Sequence, residues 1–198
     1  MLDLAPATRT LTDLVQGVRS DQLADPTPCA AMSVGDLLDH VDGFSLAFAA
    51  AARKTPLPAG SGTSVDASNL GTDWQERIPG RLAELAEAWH DDAAWSGMTQ
   101  AGGVDLPGEV AAAVALDEVI VHSWDLAVAT GQPYSCPDAL VEAACGFVAS
   151  AVEQNPDGTP GLFGPPVPVA ADAPMLHRLL GMAGRDPGWT PATSGVAG

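Results

Sequence analysis

The sequence predicts an all-α protein: four main helices in one bundle, two further helices packed outside it, and an extended strap. Three observations carry this. Four segments repeat apolar residues at intervals of three and four, which gathers them on one helix face. Three of those segments open on capping signals. The longest, residues 107–130, has no Gly or Pro after Gly108. With 198 residues, the chain is long enough to enclose a sizeable core, and one domain with its core at about residues 7–190 is expected.

The first helix covers about 7–18, with Leu11, Leu14, Val15 and Val18 in register. Asp25-Pro26-Thr27-Pro28-Cys29 follows as a rigid, turn-rich connection. Ser33-Val34-Gly35-Asp36 has the form of a capping box, in which a hydroxyl and a carboxylate satisfy free backbone N–H groups. It opens the second helix, about 33–53, whose apolar stripe is Leu37, Val41, Phe44 and Phe48. Residues 54–70 are rich in Pro, Gly and Ser and read as a crossover loop or the cover of a cleft.

Thr72-Asp73-Trp74-Gln75 repeats the capping pattern and starts a third helix, about 72–92, which Pro79-Gly80 is expected to kink or restart. Pro107 sits in the first turn of the fourth helix, where its missing N–H costs nothing, and Gly131 stands just past its end. Ser135-Cys136-Pro137-Asp138 opens a fifth helix, about 137–153. Residues 159–171 are apolar but broken by Pro and Gly, and form the strap. Asp172-Ala173-Pro174 caps a last short helix ending near Ala183, and residues 193–198 are expected to fray.

Composition narrows the function. Eight Lys plus Arg stand against 25 Asp plus Glu, a net charge of −17. That balance excludes a phosphate backbone or an anionic lipid surface as partner and leaves a small-molecule substrate. No apolar run reaches the roughly 18 residues of a membrane span, and the N-terminus lacks the basic and apolar regions of a secretory signal. A cytoplasmic protein is the expectation, with a homodimer left open. Cys29, Cys136 and Cys145 are odd in number and show no CxxC spacing, so neither a disulfide framework nor a thiolate zinc site is expected. P-loop, G-x-G-x-x-G and G-x-S-x-G motifs are absent from the sequence, which leaves nucleotide-binding and esterase readings without support.

The chemistry concentrates in Asp117-Glu118-Val119-Ile120-Val121-His122-Ser123-Trp124-Asp125. Glu118 and His122 are four apart and Asp125 three further on, so one helix face carries a carboxylate, an imidazole and a second carboxylate. Such a pattern alone marks a wet helix face as readily as a ligand set. His40 changes the balance, because it lies at the edge of the second helix's apolar stripe, where a bundle interior meets a cleft. Two imidazoles and a carboxylate on facing helices form a common three-ligand set for a divalent metal, zinc first. Asp125 is the candidate that orients a ligand His or relays protons. Cys29 is either a small buried hydrophobe or a functional thiol. Cys145 and Trp124 read as core, Cys136 as a turn residue, and His90 and His177 as surface or packing residues.

Four ordered motifs carry a resemblance: Thr27-Pro28-Cys29; Ser33-Val34-x-Asp36-Leu37-x-x-His40; Glu118-x-x-x-His122-x-Trp124-Asp125-Leu126-Ala127; and Gly184-Arg185-Asp186-Pro187-x-Trp189. Together they resemble the mycothiol-dependent maleylpyruvate isomerase N-terminal domain family, a branch of the DinB-like superfamily of metal-binding four-helix bundles. Met32 departs from the pattern, since family members often carry Trp there. The resemblance implies a DinB-like bundle, a metal held by residues matching His40, Glu118 and His122, and mycothiol as cosubstrate in a single-domain member. It implies a transferase or isomerase acting on a small electrophile. A metal-dependent hydrolase and a non-catalytic binding module are the alternatives, because a fold does not fix a function.

Overall fold

The computed structural model describes residues 2–30, 32–57, 65–159 and 163–191. Helices α1 (Ala5–Gly17), α2 (Val34–Arg53), α3 (Trp74–Ala88) and α5 (Gly108–Thr130) make a closed ring in which α1 and α2 each pack against both α3 and α5. α6 (Asp138–Gln154) packs on α5, and α7 (Met175–Met182) on α6. This is the expected bundle with two helices outside it. No helix among the described residues is long and apolar enough to cross a membrane.

The predicted stripes form the core. Leu11, Val15, Leu37, Val41, Ile78, Leu82, Leu85, Val119, Ile120 and Leu126 are all fully buried. α5 is apolar around nearly its whole circumference, and that is why it becomes the central helix. Asp117, His122, Ser123 and Asp125 on it are therefore buried as well.

The capping box at Ser33 forms as expected: the Ser33 hydroxyl accepts from the Asp36 N–H at 3.2 Å, while the Asp36 carboxylate accepts from Ser33 N–H at 2.9 Å. α2 thus has a fixed start, and His40 a fixed place along it. The other capping signals end differently. α3 begins at Trp74 with Asp73 at its N-cap, but the Asp73 carboxylate takes Arg77 instead of a backbone N–H. α6 and α7 begin after Pro137 and Pro174, without a side-chain cap. Pro79 neither kinks nor restarts α3 enough to end it, because it removes a single rung while Ile78 and Leu82 on either side are fully buried.

An antiparallel hairpin that the sequence does not predict, β1 (Met98–Ala101) and β2 (Val104–Pro107), leads into α5 after the short α4 (Asp92–Trp95). Gly102 and Gly103 both adopt positive φ, +57° and +79°, as a two-residue turn matching strand twist requires. The described part of the strap is extended, with Thr159 and Phe163 bridged. The frayed tail expected at 193–198, the middle of the 54–70 loop and residues 160–162 of the strap lie outside the described residues.

Candidate metal centre

α2 and α5 face each other across the bundle, and their chemistry-bearing residues meet. His40 Nε2 lies 3.2 Å from Glu118 Oε2, and His122 Nε2 lies 3.1 Å from the same oxygen. The two imidazoles stand edge to face with ring centres 4.9 Å apart. Phe44, one turn beyond His40 on α2, packs against both rings at 5.5 and 6.2 Å. The helical spacing thus brings Glu118 and His122 together as predicted, and the edge of the α2 stripe brings His40 to them.

Asp125 lies behind His122. Its Oδ2 is 3.0 Å from His122 Nδ1, and its side chain has no solvent exposure. Arg185 closes the far side of this carboxylate. Its Nη2 donates to Oδ2 at 3.0 Å, its Nε donates to both oxygens at 3.3 Å, and its Nη1 donates to Ala183 O at 3.0 Å. The motif containing Arg185 was visible in the sequence, but its role was not. It lies 60 residues from Asp125, beyond the reach of any helical periodicity.

Charge follows this geometry. Burial would push the Glu118 carboxyl up, but the hydrogen bonds from His122 and His40 outweigh it and hold it down at about 2. Burial would lower His122, yet Asp125 and Glu118 carry it up to about 9. Asp125 is held low against burial by His122 and Arg185. Without a metal, His122 is therefore an imidazolium between two carboxylates at neutral pH. Asp117 on the same helix is pushed up to about 7 by burial and by the neighbouring Glu118 charge, and its Oδ1 is buried without a hydrogen-bond partner among the described residues.

The donor set fits a divalent cation. One nitrogen from each of His40 and His122 and one oxygen of Glu118 all lie within 4.8 Å of one another. Tetrahedral zinc with bonds of about 2.0–2.2 Å spaces its donors roughly 3.3–3.6 Å apart, so the cluster is close to that spacing already. A second grouping, Cys29, His122 and Asp125, has the same spread. There the Arg185 guanidinium already neutralises Asp125, and a cation would be repelled. The first set is the better cage.

The cluster opens into a cavity of about 560 Å³ whose walls include Cys29, His40, Glu118, His122, Phe163 and Arg185. That volume suits a small ligand. Cys29 is half-buried, and burial pushes its thiol up despite the opposing pull of Arg185. Trp124 is core and does not line this cavity. His90 is exposed and His177 half-buried, both far from any role in the cluster by sequence pattern and absent from its walls.

Fold and cluster together define a class: a helical bundle that brings two imidazoles and a carboxylate together between two facing helices. The chain belongs to the mycothiol maleylpyruvate isomerase N-terminal domain family, whose profile matches residues 4–127. That stretch holds His40, Glu118, His122 and Asp125, and leaves Arg185 outside. Two uncharacterised proteins from two strains of Mycobacterium tuberculosis are each 28% identical over 175 residues, covering 87% of this chain and 90% of their own. The crystal structure of a mycothiol-dependent maleylpyruvate isomerase superposes with a TM-score of 0.59 at 17% identity, over 76% of this chain and 67% of that one. A histidine-to-alanine mutant of such an isomerase gives a TM-score of 0.56 at 15% identity over the same shares. At these identities the likeness concerns the fold.

Proposed function

We propose that this chain is a metal-dependent enzyme of thiol chemistry, using mycothiol as cosubstrate on a small electrophile, as a transferase or isomerase. The observation that carries this reading is the convergence of His40, Glu118 and His122 on one point at the wall of a ligand-sized cavity. Family membership adds the thiol. His40 Nε2, a Glu118 oxygen and His122 Nε2 would hold the cation. When bound, zinc supplies a Lewis acid that lowers the pKa of a thiol sharing its open position.

The chain's own residues set up that chemistry. His122 has to release the proton on Nε2 before this nitrogen can act as a donor, while Asp125 retains the proton on Nδ1. Glu118 contributes a charge that offsets the cation and stays ionised at any physiological pH. Phe163 and Met32 add apolar surface to the cavity wall that an arriving sulfur would meet. Asp125 is fully enclosed, so its part is to orient His122 rather than to touch substrate. An isomerase returns the thiol at the end of the cycle; a transferase leaves its sulfur on the product.

The test is a titration of mycothiol into zinc-loaded protein and into His122→Ala between about pH 6 and 9. Binding to the wild type should strengthen with pH as the thiol ionises, and the variant should keep a cooperative fold while losing both zinc and mycothiol. Equal mycothiol affinity for the two proteins would overturn the thiol reading.

A further inference from the structure

We infer that Arg185 is a positioning residue of this centre, acting through Asp125 to hold His122 in the orientation and tautomer that present Nε2 to Glu118 and His40. The inference rests on reading His122 as a metal donor.

Asp125 has no solvent exposure, and a buried carboxylate needs a cation or a proton. Arg185 supplies the cation in a planar fork: Nε and Nη2 both face the carboxylate, which fixes its plane, and Nη1 is tied to Ala183 O. With its plane and charge fixed, Asp125 can only accept from His122, so the proton on Nδ1 is held, and the proton the imidazolium gives up to a metal is the one on Nε2. Take Arg185 away, and the carboxylate is free to turn or to become a donor itself. The imidazole can then place its proton on Nε2, where it blocks coordination.

Docking of the C-terminal segment does not call for this side chain. Leu179 and Leu180 are fully buried, Ala183 nearly so, and the Arg185 backbone N–H is held by Leu180 O at 2.8 Å. A buried ion pair is also a poor device for stability, since apolar replacements commonly do as well. What this pair does that an apolar contact cannot is fix the proton on a ring nitrogen.

Two measurements test this on Arg185→Gln, Arg185→Lys, Asp125→Asn and the double variant Arg185→Gln/Asp125→Asn. One is zinc affinity by chelator competition; the other is the solvent-exchange rate of the His122 Nδ1 proton in metal-free protein, read by NMR. Arg185→Gln should weaken zinc by about 10–100-fold and speed proton exchange by about as much. Arg185→Lys, which keeps the charge and loses the fork, should recover part of both and carries the test if the Gln variant does not fold. In the Asp125→Asn background, removing Arg185 should cost no further zinc affinity. Unchanged zinc affinity and proton exchange in Arg185→Gln, or losses that multiply in the double variant, would overturn the inference. If the wild type binds no zinc, the function proposed above falls, and the proton-exchange rates still decide whether Arg185 fixes His122.

Discussion

His40 and His122 reach the same carboxylate oxygen, one from α2 and one from α5, but they are held in unlike ways. His122 is enclosed on the central helix and backed by Asp125, which is itself backed by Arg185. His40 sits on α2 at the cavity rim. Its Nδ1 is buried with no hydrogen-bond partner among the described residues, and its ring is placed by packing against Phe44 and His122. A ligand histidine whose second nitrogen is anchored keeps its angle; one held by packing can turn at modest cost. The difference teaches that the centre has a rigid side on α5 and a compliant side on α2. The compliant side is the one that can adjust when a ligand enters.

The largest effect should separate the two histidines. His122→Ala should abolish zinc binding, whereas His40→Ala should weaken it and leave a measurable complex with Glu118 and His122; chelator competition gives the ranking, and the reverse order would break the comparison. Phe44→Ala comes next. It should cost about 3–5 kcal/mol in urea unfolding and lower zinc affinity, because it removes the packing that places His40.

The pH dependence of the metal-free protein is of lesser size. The folded value of His122, about 9, lies above its ordinary 6.5, so its contribution is whole below pH 6.5 and drains away as pH rises through about 9. Glu118 has the opposite sign: its folded value of about 2 lies below 4.5, so its contribution is whole above pH 4.5 and is lost as pH falls toward 2. Asp117 runs against a plateau: its folded value of about 7 lies above 3.8, so its contribution is whole below pH 3.8 and is lost as pH rises through 7. Unfolding midpoints in chelator should therefore fall from about pH 4.5 toward 7, and fall again by on the order of 2–3 kcal/mol as pH rises through about 9. A flat profile to pH 9.5 would mean that His122 is not clamped by charge. The smallest effect belongs to Ser33→Ala, which removes the α2 cap: about 1 kcal/mol, or roughly 2–4 °C in Tm. It should leave zinc affinity nearly unchanged if the compliance of the α2 side is local to His40.

Local rules made some of this legible in sequence. Glu118 and His122 are four residues apart on one helix, and periodicity alone puts them on one face. His40 was legible as a polar residue at the margin of Leu37, Val41 and Phe44. Arg185 was not, because its partner is 60 residues away and only the docking of α7 brings it there. The hairpin was not legible although Gly102-Gly103 announces a tight turn, since Met98–Ala101 and Val104–Pro107 are only four residues each and hold a single fully buried position between them. The capping signal at Thr72 misled because Arg77 competes for the Asp73 carboxylate, and tertiary partners are invisible to a four-residue pattern.

The distance between Asp125 and Arg185 along the chain also sets an order of events during synthesis. The ribosome releases α1 to α5, with every residue of the ligand cluster, before it has made the side chain that holds Asp125 charged. For as long as α6 and α7 take to emerge, the nascent bundle carries a carboxylate in its interior with no arginine to meet it. Released chains truncated just before and just after Arg185, compared for zinc retention, should differ, and equal retention would show that the bundle completes its centre without the clamp.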